Sequence, residues 1–526
     1  MNHKGLATLM PKSTSRRMLL QAAMGVAGSL MLPRPLYAGA AIDHGLPLFR
    51  LGVASGYPSA GGCVVWTRLA PIPLSPDGGM PASAIPVNWV VAADEALRDV
   101  RASGISYATP DWAHSVHVEV SGLEPDRPYW YRFTAMGQQS PVGRTHTAPA
   151  ADSKRDSLKV AVASCQNYEH GYYAAYRHMV ADAPDLIVHV GDYIYEGGNG
   201  ADPVRRHDAS EAQTLEDYRI RHSLYRLDPD LQAAHAAAPW LCTWDDHEVD
   251  NDYTGDISEQ DDDPALFRLR RAAAMKAYYE HLPVPRSAVP FGSAMRLYQQ
   301  RNFGPLASFY MLDGRQFRSP HACSAPGIRG SRRVENCAEV TDESRTMLGF
   351  RQEAWLAQRL QSADARWNLF AQGVMMSYLD ELAGPGEQFY TDSWNGYAAA
   401  RRRLLAAVAQ PQVRNPLILS GDIHAFFAGR LNAVPGREDT PVVASELVTT
   451  SITSRQPGVG MIKSLVDINS NVLYGSAQYR GYLRLSIGTD LLRGDMVGLD
   501  DATNPRSGAR VVRSFVMPAG QPLTEA

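Results

Sequence analysis

The chain has few cysteines, no apolar run of membrane-spanning length and no excess of positive charge. Five of its 526 residues are cysteine, and 51 lysines and arginines stand against 55 aspartates and glutamates, a formal net charge of −4. An acidic chain is not expected to present a nucleic-acid-binding surface. It also lacks internal repeats and low-complexity tracts. The remaining composition, 45% hydrophobic and 20% charged, is typical of a globular protein with room for more than one domain.

The first forty residues differ from the rest of the chain. Arg16 and Arg17 precede an apolar, small-residue stretch at 22–32, which closes with small residues at 38–40. A membrane anchor would need ~20 apolar residues, so the pattern favours a cleaved twin-arginine signal over residues 1–40. We therefore expect the twin-arginine export machinery as a partner, a periplasmic or secreted location, and no stable membrane anchor after cleavage. Cleavage would remove five basic and no acidic residues and take the net charge from −4 to −9.

The odd number of cysteines means that at least one is not in an intramolecular pair. Cys323 and Cys337 lie close together in a polar, glycine- and arginine-rich stretch, and we predict a disulfide between them. Cys63 and Cys242 lie in apolar, strand-like runs and are predicted to be buried thiols. Cys165 is left over.

Two regions with different patterns follow the signal. Residues 41–147 contain short β-branched and aromatic runs separated by turn signals, which predict an immunoglobulin- or fibronectin-like β-sandwich domain; the runs are 63–67, 87–91, 114–120 and 129–133. A turn at 123–125 before Tyr129 and Tyr131 resembles the corner of such sandwiches in which a tyrosine hydroxyl bonds back to the chain. A polar linker at 148–157 begins the second domain, 148–526.

In that second region apolar strand-like runs alternate with amphipathic helical ones. This alternation predicts an α/β sheet that is buried on both faces. The strand-like runs are 158–163, 186–190, 240–244, 367–374 and 417–420, and the helical ones lie near 172–180 and 266–281. In such sheets ligands bind at the carboxyl ends of the strands.

Four of these strand-like runs end in side chains that can bind metals. The residues are Cys165, then Asp192 and Tyr195, then Asp246, and finally Asp422 and His424. Some of these side chains have an ordinary alternative role: Cys165 as a buried thiol and Tyr195 as a half-buried aromatic residue. The neighbouring His247 could be a turn cap. Their coincidence at four strand ends nevertheless favours a metal site.

The ligand types indicate a site for two different cations. Asp192 can bridge two cations, and Tyr195 can bind a hard trivalent ion such as Fe(III) as phenolate. A thiolate at Cys165 and an imidazole at His424 suit a transition metal, whereas Asp246 and Asp422 offer hard oxygens.

These residues, with several longer motifs, resemble the PhoD-type alkaline phosphatases, a family of metallophosphoesterases related to the purple acid phosphatases. The resemblance extends over nearly the whole chain. Its motifs are GVASG at 52–56, VWTR at 65–68, TWDDHE at 243–248, AYYEH at 277–281, LDGRQ at 312–316, DSWNGY at 392–397 and SGDIH at 420–424.

The resemblance implies a four-layer αββα metallophosphoesterase sandwich with Fe(III) and Ca(II) at the active site, other divalent metals remaining possible. Cys165, Asp192, Tyr195 and His424 would hold the iron, and Asp192, Asp246 and Asp422 the calcium, with Asn251 as a further calcium contact. Asp245 competes with Asp246 for this role, and Asp246 is preferred because it aligns with the asparagine that precedes histidine in the purple acid enzymes.

The expected activity is hydrolysis of small phosphate esters, monoesters favoured, by attack of a metal-activated hydroxide. His247 would donate a proton to a phosphate oxygen or the leaving group, and Arg271 would neutralise charge on the phosphate. A surface ion pair is the alternative role for either arginine of the pair Arg270 and Arg271. A phosphodiesterase or phospholipase D type activity is the competing function, and a non-catalytic binding protein with a structural metal site is a third possibility.

Overall fold

The computed structural model describes residues 45–198, 200–325, 327 and 329–526. The predicted signal at 1–40 lies outside the described residues. No helix in the described part of the chain is long and apolar enough to cross a membrane.

Eight strands come from the N-terminal region. They are β1 (Val53–Ser59), β2 (Gly62–Arg68), β3 (Ile85–Ala92), β4 (Val100–Ala108), β5 (Ser115–Ser121), β6 (Pro128–Ala135), β7 (Gln138–Gln139) and β8 (Gly143–His146).

The rest of the described chain adds sixteen strands. They are β9 (Ser157–Ala163), β10 (Leu186–His189), β11 (Pro239–Cys242), β12 (Gln299–Phe303), β13 (Ala307–Met311), β14 (Arg333–Glu335), β15 (Trp367–Ala371), β16 (Gln388–Tyr390), β17 (Pro416–Ser420), β18 (Phe426–Asn432), β19 (Val442–Val448), β20 (Val472–Ser476), β21 (Gly481–Gly488), β22 (Leu491–Leu499), β23 (Ala509–Pro518) and β24 (Thr524–Glu525).

Seven α-helices lie between these strands in the described residues. They are α1 (Ala174–Ala181), α2 (Leu215–Arg226), α3 (Pro229–Ala237), α4 (Pro264–His281), α5 (Phe350–Gln361), α6 (Ala398–Val408) and α7 (Val459–Ile468). Their starts follow local chemistry: Thr214 and Asp217 form a capping box on α2, and Asp263 caps α4 just before a proline at its first position.

Two large sheets form the centre of the molecule. One has ten strands in the order β24-β23-β22-β21-β9-β10-β11-β1-β2-β5, and the other has seven in the order β12-β13-β15-β17-β19-β18-β20. Strands β9, β10, β11 and β1 run parallel, as do β13, β15, β17 and β19. The carboxyl ends of each parallel set therefore meet at one edge.

The alternation of side chains along the seven-stranded sheet shows its two packed faces. Phe309 and Leu369 share one core with the ten-stranded sheet. Tyr310 and Phe370, one residue later, pack in a second core with helices α5 and α6, represented by Leu356 and the buried residues around it. The sheets thus pack on each other and carry helices outside, and the predicted four-layer fold is confirmed.

The N-terminal region contributes strands to two sheets. One sheet consists only of N-terminal strands, and the other is the ten-stranded sheet. Strands β4, β3, β6 and β7 pair in that order, and β8 also pairs with β6. The other strands, β1, β2 and β5, extend the ten-stranded sheet, because Ser55 and Gly56 pair in parallel with Pro239 and Trp240. The predicted tyrosine corner is present: the amide of Glu124 donates to the Tyr129 hydroxyl at 2.9 Å.

The cysteines are arranged as predicted. A disulfide joins Cys323 to Cys337, and the thiols of Cys63, Cys165 and Cys242 are free and buried.

Candidate metal centre

The candidate site lies where the carboxyl ends of the parallel strands meet. Cys165 follows β9, Asp192 and Tyr195 follow β10, and Asp246 follows β11. The loops are bonded to one another, since the amide of Cys165 donates to the carbonyl of Gly191 at 3.1 Å.

The backbone at this edge takes conformations that side-chain-bearing residues seldom adopt. Cys165 and Asp192 have φ values of 57°, Asp422 has 65° and His424 has 53°. Such left-handed residues cost energy and persist where the surrounding structure holds them, commonly at functional sites. Four of the predicted metal ligands are held in this way.

Three of the predicted ligands form one compact group. Ligand atoms of Cys165, Asp192 and His424 all lie within 4.8 Å of one another. The Tyr195 hydroxyl joins them, because it donates to Asp192 Oδ2 at 2.7 Å and lies 3.1 Å from His424 Nε2. A thiol, an imidazole, a phenol and a carboxyl are thus brought close together.

A second group shares Asp192 with the first. Ligand atoms of Asp192, Asp246 and His247 also lie within 4.8 Å of one another. Asp192 Oδ1 is buried and has no hydrogen-bond partner among the described residues. A carboxyl that is common to two ligand groups and has one unpartnered oxygen fits a ligand shared by two cations.

Burial without a cation opposes ionisation of these ligands. Burial, with the nearby charge of Asp192, raises the pKa of the Cys165 thiol and of the Tyr195 hydroxyl well above their ordinary values. Burial also raises the pKa of Asp192 well above its ordinary value. Because a metal binds the deprotonated forms, a cation supplies the charge that this donor set lacks, and the residues fit a metal site.

Asp245 and Asp246 have different partners. Asp245 Oδ1 is hydrogen-bonded to Arg315 Nε, and its side chain packs against Gly191 and Gly373, where a Cβ would clash at 2.6 Å. Asp246 lies 3.6 Å from the guanidinium of Arg315 and belongs to the second ligand group. The contacts therefore support Asp246 as the ligand and Asp245 as the partner of Arg315.

Asp422 and Asn251 lie on loops at the same edge. Burial, followed by the charges of Asp245 and Asp392, raises the pKa of Asp422 well above its ordinary value. The amide of Asn251 donates to Glu196 Oε1 at 2.9 Å, and Glu196 also contacts His247. No described contact joins either side chain to the two ligand groups, and their metal roles stay predictions.

His247 is held as a charged group. Its Nδ1 lies 2.8 Å from Glu196 Oε2, and its ring lies 4.1 Å from the ring of Tyr195, centroid to centroid. Although burial favours the neutral imidazole, Glu196 and Asp246 raise the pKa of His247 well above its ordinary value. In this charged form the second ring nitrogen is left to donate a proton.

Arg271 lies apart from both ligand groups. Its guanidinium pairs with Asp256 at 2.7 Å and bonds to the carbonyl of Gly255 and the hydroxyl of Ser293. Neighbouring Arg270 pairs with Asp250 and Glu211. The contacts of Arg271 do not reach the metal ligands, and the catalytic role given to it stays a prediction.

The guanidinium that does reach the site belongs to Arg315. It makes two hydrogen bonds to Asp392, at 2.7 and 2.8 Å, besides its bond to Asp245. Asp392 also accepts from Arg318 at 2.6 Å and contacts His321 at 2.8 Å. We call these residues, Asp245, Arg315, Arg318, His321 and Asp392, the arginine cluster.

Two glutamates next to the predicted ligands, Glu196 and Glu248, were also not predicted from the sequence. Glu248 accepts hydrogen bonds from the amides of Asp192, Tyr193 and Asp245 and so fixes two of the site loops. The sequence motifs were the available signals for these residues. Glu196 ends the run Asp-Tyr-Ile-Tyr-Glu at 192–196, and Glu248 ends TWDDHE. Arg315 lies in LDGRQ and Asp392 in DSWNGY.

The chain matches known protein families over most of its length. Residues 160–496 match the model of the PhoD-like phosphatase, and residues 37–149 match the model of its N-terminal domain. The chain belongs to the PhoD-like phosphatase family. The predicted family and the predicted enzyme class, alkaline phosphatase, are thereby confirmed.

Individual PhoD-like proteins are similar over almost their full length. Alkaline phosphatase D of Bacillus subtilis (strain 168) is 41% identical over 515 residues, which cover 95% of this chain and 87% of that protein. A solved structure described as the structure of PhoD matches with a TM-score of 0.88 and 40% identity, over 92% of this chain and 93% of that one.

Proposed function

We propose that this PhoD-like chain is an exported, metal-dependent phosphatase that hydrolyses small phosphate esters and favours monoesters. One observation carries the proposal: Asp192, with an unpartnered buried oxygen, is common to two groups of metal-binding side chains.

The two groups suit different metals. Cys165, Asp192, Tyr195 and His424 would hold Fe(III), because phenolate and thiolate bind such an ion strongly. Asp192 and Asp246 would hold Ca(II) through hard oxygen ligands, with Asp422 and Asn251 added on the resemblance alone. When bound, the cations would supply positive charge that polarises the phosphate ester and acidifies a water molecule.

The chain's own residues supply the proton transfer and the positioning. His247, kept cationic by Glu196, would donate a proton to the ester oxygen that leaves. Glu248 holds the loops of Asp192 and Asp245 through backbone amides, and Arg315 holds Asp245 beside Asp246. These contacts keep the ligand oxygens in place before the substrate binds. Arg271 remains proposed as a phosphate-neutralising residue on the resemblance alone.

Export rests on the twin arginines at 16 and 17, with cleavage close to residue 40 and a sandwich domain at 41–147 followed by the catalytic domain at 148–526. The disulfide between Cys323 and Cys337 supports an oxidising compartment such as the periplasm. Changing Arg16 and Arg17 together to lysine should leave the full-length precursor in the cytoplasm, and normal processing of that variant would refute the twin-arginine route.

The activity is tested with p-nitrophenyl phosphate and bis-p-nitrophenyl phosphate, using the purified protein, its Asp192→Asn variant and an exposed control, Asp490→Asn, whose side chain is 88% exposed. Elemental analysis should find iron and calcium in the wild type and the control, and less of both in Asp192→Asn. We expect faster turnover of the monoester and at least roughly a 10³-fold loss in Asp192→Asn. Faster turnover of the diester would favour the phosphodiesterase function, and metal binding without turnover of either compound would favour a structural metal site.

A further inference from the structure

A cleft lined by arginines lies on the outer edge of the seven-stranded sheet. It has a volume of about 430 Å³ and is bounded by the edge strand β12 and helix α5. Its lining includes Arg296, Arg301 and Arg359, with the aromatic rings of Tyr298 and Trp355. This volume is in the range of small-molecule binding sites. We call it the edge cleft.

The arginines that line the edge cleft lack acidic partners. Arg296, Arg301 and Arg359 form no ion pair with any residue that the structure describes. Arg301 pairs with Phe309, so its side chain lies on the face of β12 that is turned to the ten-stranded sheet, and its guanidinium lies 5.6 Å from the ring of Tyr57 on β1. Arg296 and Arg359 are exposed, and in a chain of net charge −4 these two unpaired arginines give the cleft a local positive charge.

Aromatic groups form one wall of the same cavity. The rings of Tyr298 and Trp355 lie 5.0 Å apart, centroid to centroid, and the guanidinium of Arg296 lies 5.0 Å from the Tyr298 ring. Gln299 and Gln300 add polar amides to the lining. The cleft therefore offers charge for an anion and a flat apolar surface for a ring.

The edge cleft is separate from the metal centre, yet it opens near the same end of the sheet. Gln299 pairs with Met311, so β12 begins level with the carboxyl end of β13. Just before it, the amide of Met295 donates to Gln316, the residue after Arg315 of the arginine cluster. No predicted metal ligand lines the cleft.

We propose that the edge cleft is a second anion site, which binds a phosphate-bearing compound outside the catalytic centre. Arg296 and Arg359 bind the phosphate oxygens, because guanidinium groups match the geometry and charge of phosphate. A ring attached to the phosphate packs on Trp355. Free phosphate, the product of the reaction, and organic phosphates share this chemistry, and the ring distinguishes them.

The test uses two phosphate analogues that cannot be hydrolysed, methylphosphonate without a ring and phenylphosphonate with one. Calorimetric titration of the metal-loaded wild type should show two binding events per chain. The double variant Arg296→Gln/Arg359→Gln should lose one event, or weaken it by at least roughly tenfold for each guanidinium removed, and keep its turnover of p-nitrophenyl phosphate. Asp192→Asn should lose the other event and keep the edge-cleft one.

Arg351→Gln is the matched control, because Arg351 is exposed on the same helix α5 and does not line the cleft. It should retain both events. Trp355→Leu should bind methylphosphonate in the cleft as the wild type does and lose the preference for phenylphosphonate. A single event in the wild type, two unchanged events in the double variant, or equal loss in Arg351→Gln would each overturn the proposal. Because Asp192→Asn and the arginine variants affect different events, failure of the metal proposal would be distinguishable from failure of this one.

Discussion

The ligand group around Asp192 and the arginine cluster around Asp392 lie side by side, and both bury carboxylates almost completely. Asp392 is surrounded by two arginines and a histidine, and Arg315 and Arg318 hold its pKa well below the ordinary value despite burial. Asp192 has no arginine partner among the described residues, and although His247 lies near it, burial raises its pKa well above the ordinary value. A buried carboxylate that the chain neutralises itself indicates a structural role here, whereas a buried carboxyl whose ionisation the protein opposes indicates a cation from outside.

The largest effect on stability is expected where the arginine cluster is broken. Asp392→Asn removes the carboxylate that accepts two hydrogen bonds from the buried guanidinium of Arg315. Removal of one member of a buried ion pair lowers the free energy of unfolding by about 3–5 kcal/mol. Urea unfolding should show this loss with metals present and with metals chelated. A loss confined to the metal-loaded protein would mean that Asp392 acts through the metal site, and the contrast between the two clusters would fail.

The disulfide loop should have the next largest effect. Replacing Cys323 and Cys337 by serine opens a loop that carries Ser331, which bonds to Asp252, and that follows His321 of the arginine cluster. Closing a loop of this length contributes about 3 kcal/mol. Denaturant unfolding should show that loss, while the bound metals should remain. The same replacement at Cys63, a free buried thiol, is the comparison variant; metal loss only in the disulfide variant would contradict the expectation.

The ligand group should show an effect of opposite sign in the two metal states. In chelated protein Asp192→Asn replaces a buried carboxyl that has one unpartnered oxygen, and we expect it to be more stable than the wild type by about 1–3 kcal/mol. In metal-loaded protein the same variant should be less stable, because the cations bind it less tightly. Thermal unfolding in both states measures the reversal, and a destabilisation of equal size in both would show that Asp192 is held as Asp392 is.

A third kind of buried titratable group must stay neutral. His222 on α2 is completely buried, and burial, with the nearby charges of Arg68 and Arg221, lowers its pKa to about 3. The unfolded chain binds the proton below about pH 6.5, so the stability due to the neutral imidazole is complete above that pH. It should fall between about pH 6.5 and 3, by roughly 1.4 kcal/mol per pH unit.

Urea unfolding across that pH range tests the role of His222. In His222→Phe the free energy of unfolding should fall less steeply as the pH is lowered, whereas His178→Gln, at a partly exposed position, should keep the wild-type slope. An unchanged slope in His222→Phe would place the acid sensitivity elsewhere.

The grouping of three predicted ligands could be expected from the sequence, whereas the contacts of their neighbours could not, for a physical reason. Cys165, Asp192 and His424 each follow an apolar strand, and parallel strands bring their ends together whatever the details of packing. Arg315 meets Asp392 across 77 residues of chain, through a contact that depends on how two loops fold over the sheet. The motifs LDGRQ and DSWNGY marked both positions without indicating that they are partners.

The fold shows the same limit. Most central strands were predicted from apolar runs, but β4 was missed because its residues are largely exposed and it contains a glycine. The pairing of β1 with β11 was also missed, since it joins segments more than 180 residues apart, and no local pattern reports such a contact.

The position of β9 affects when the catalytic centre can form during synthesis. This strand, which leads directly into Cys165, lies between β10 and β21, so one of its two neighbours comes from residues 481–488. A ribosome must therefore release more than nine-tenths of the chain before the strand can be enclosed. Truncated products of translation would therefore lack an enclosed β9 and, with it, a formed candidate metal centre.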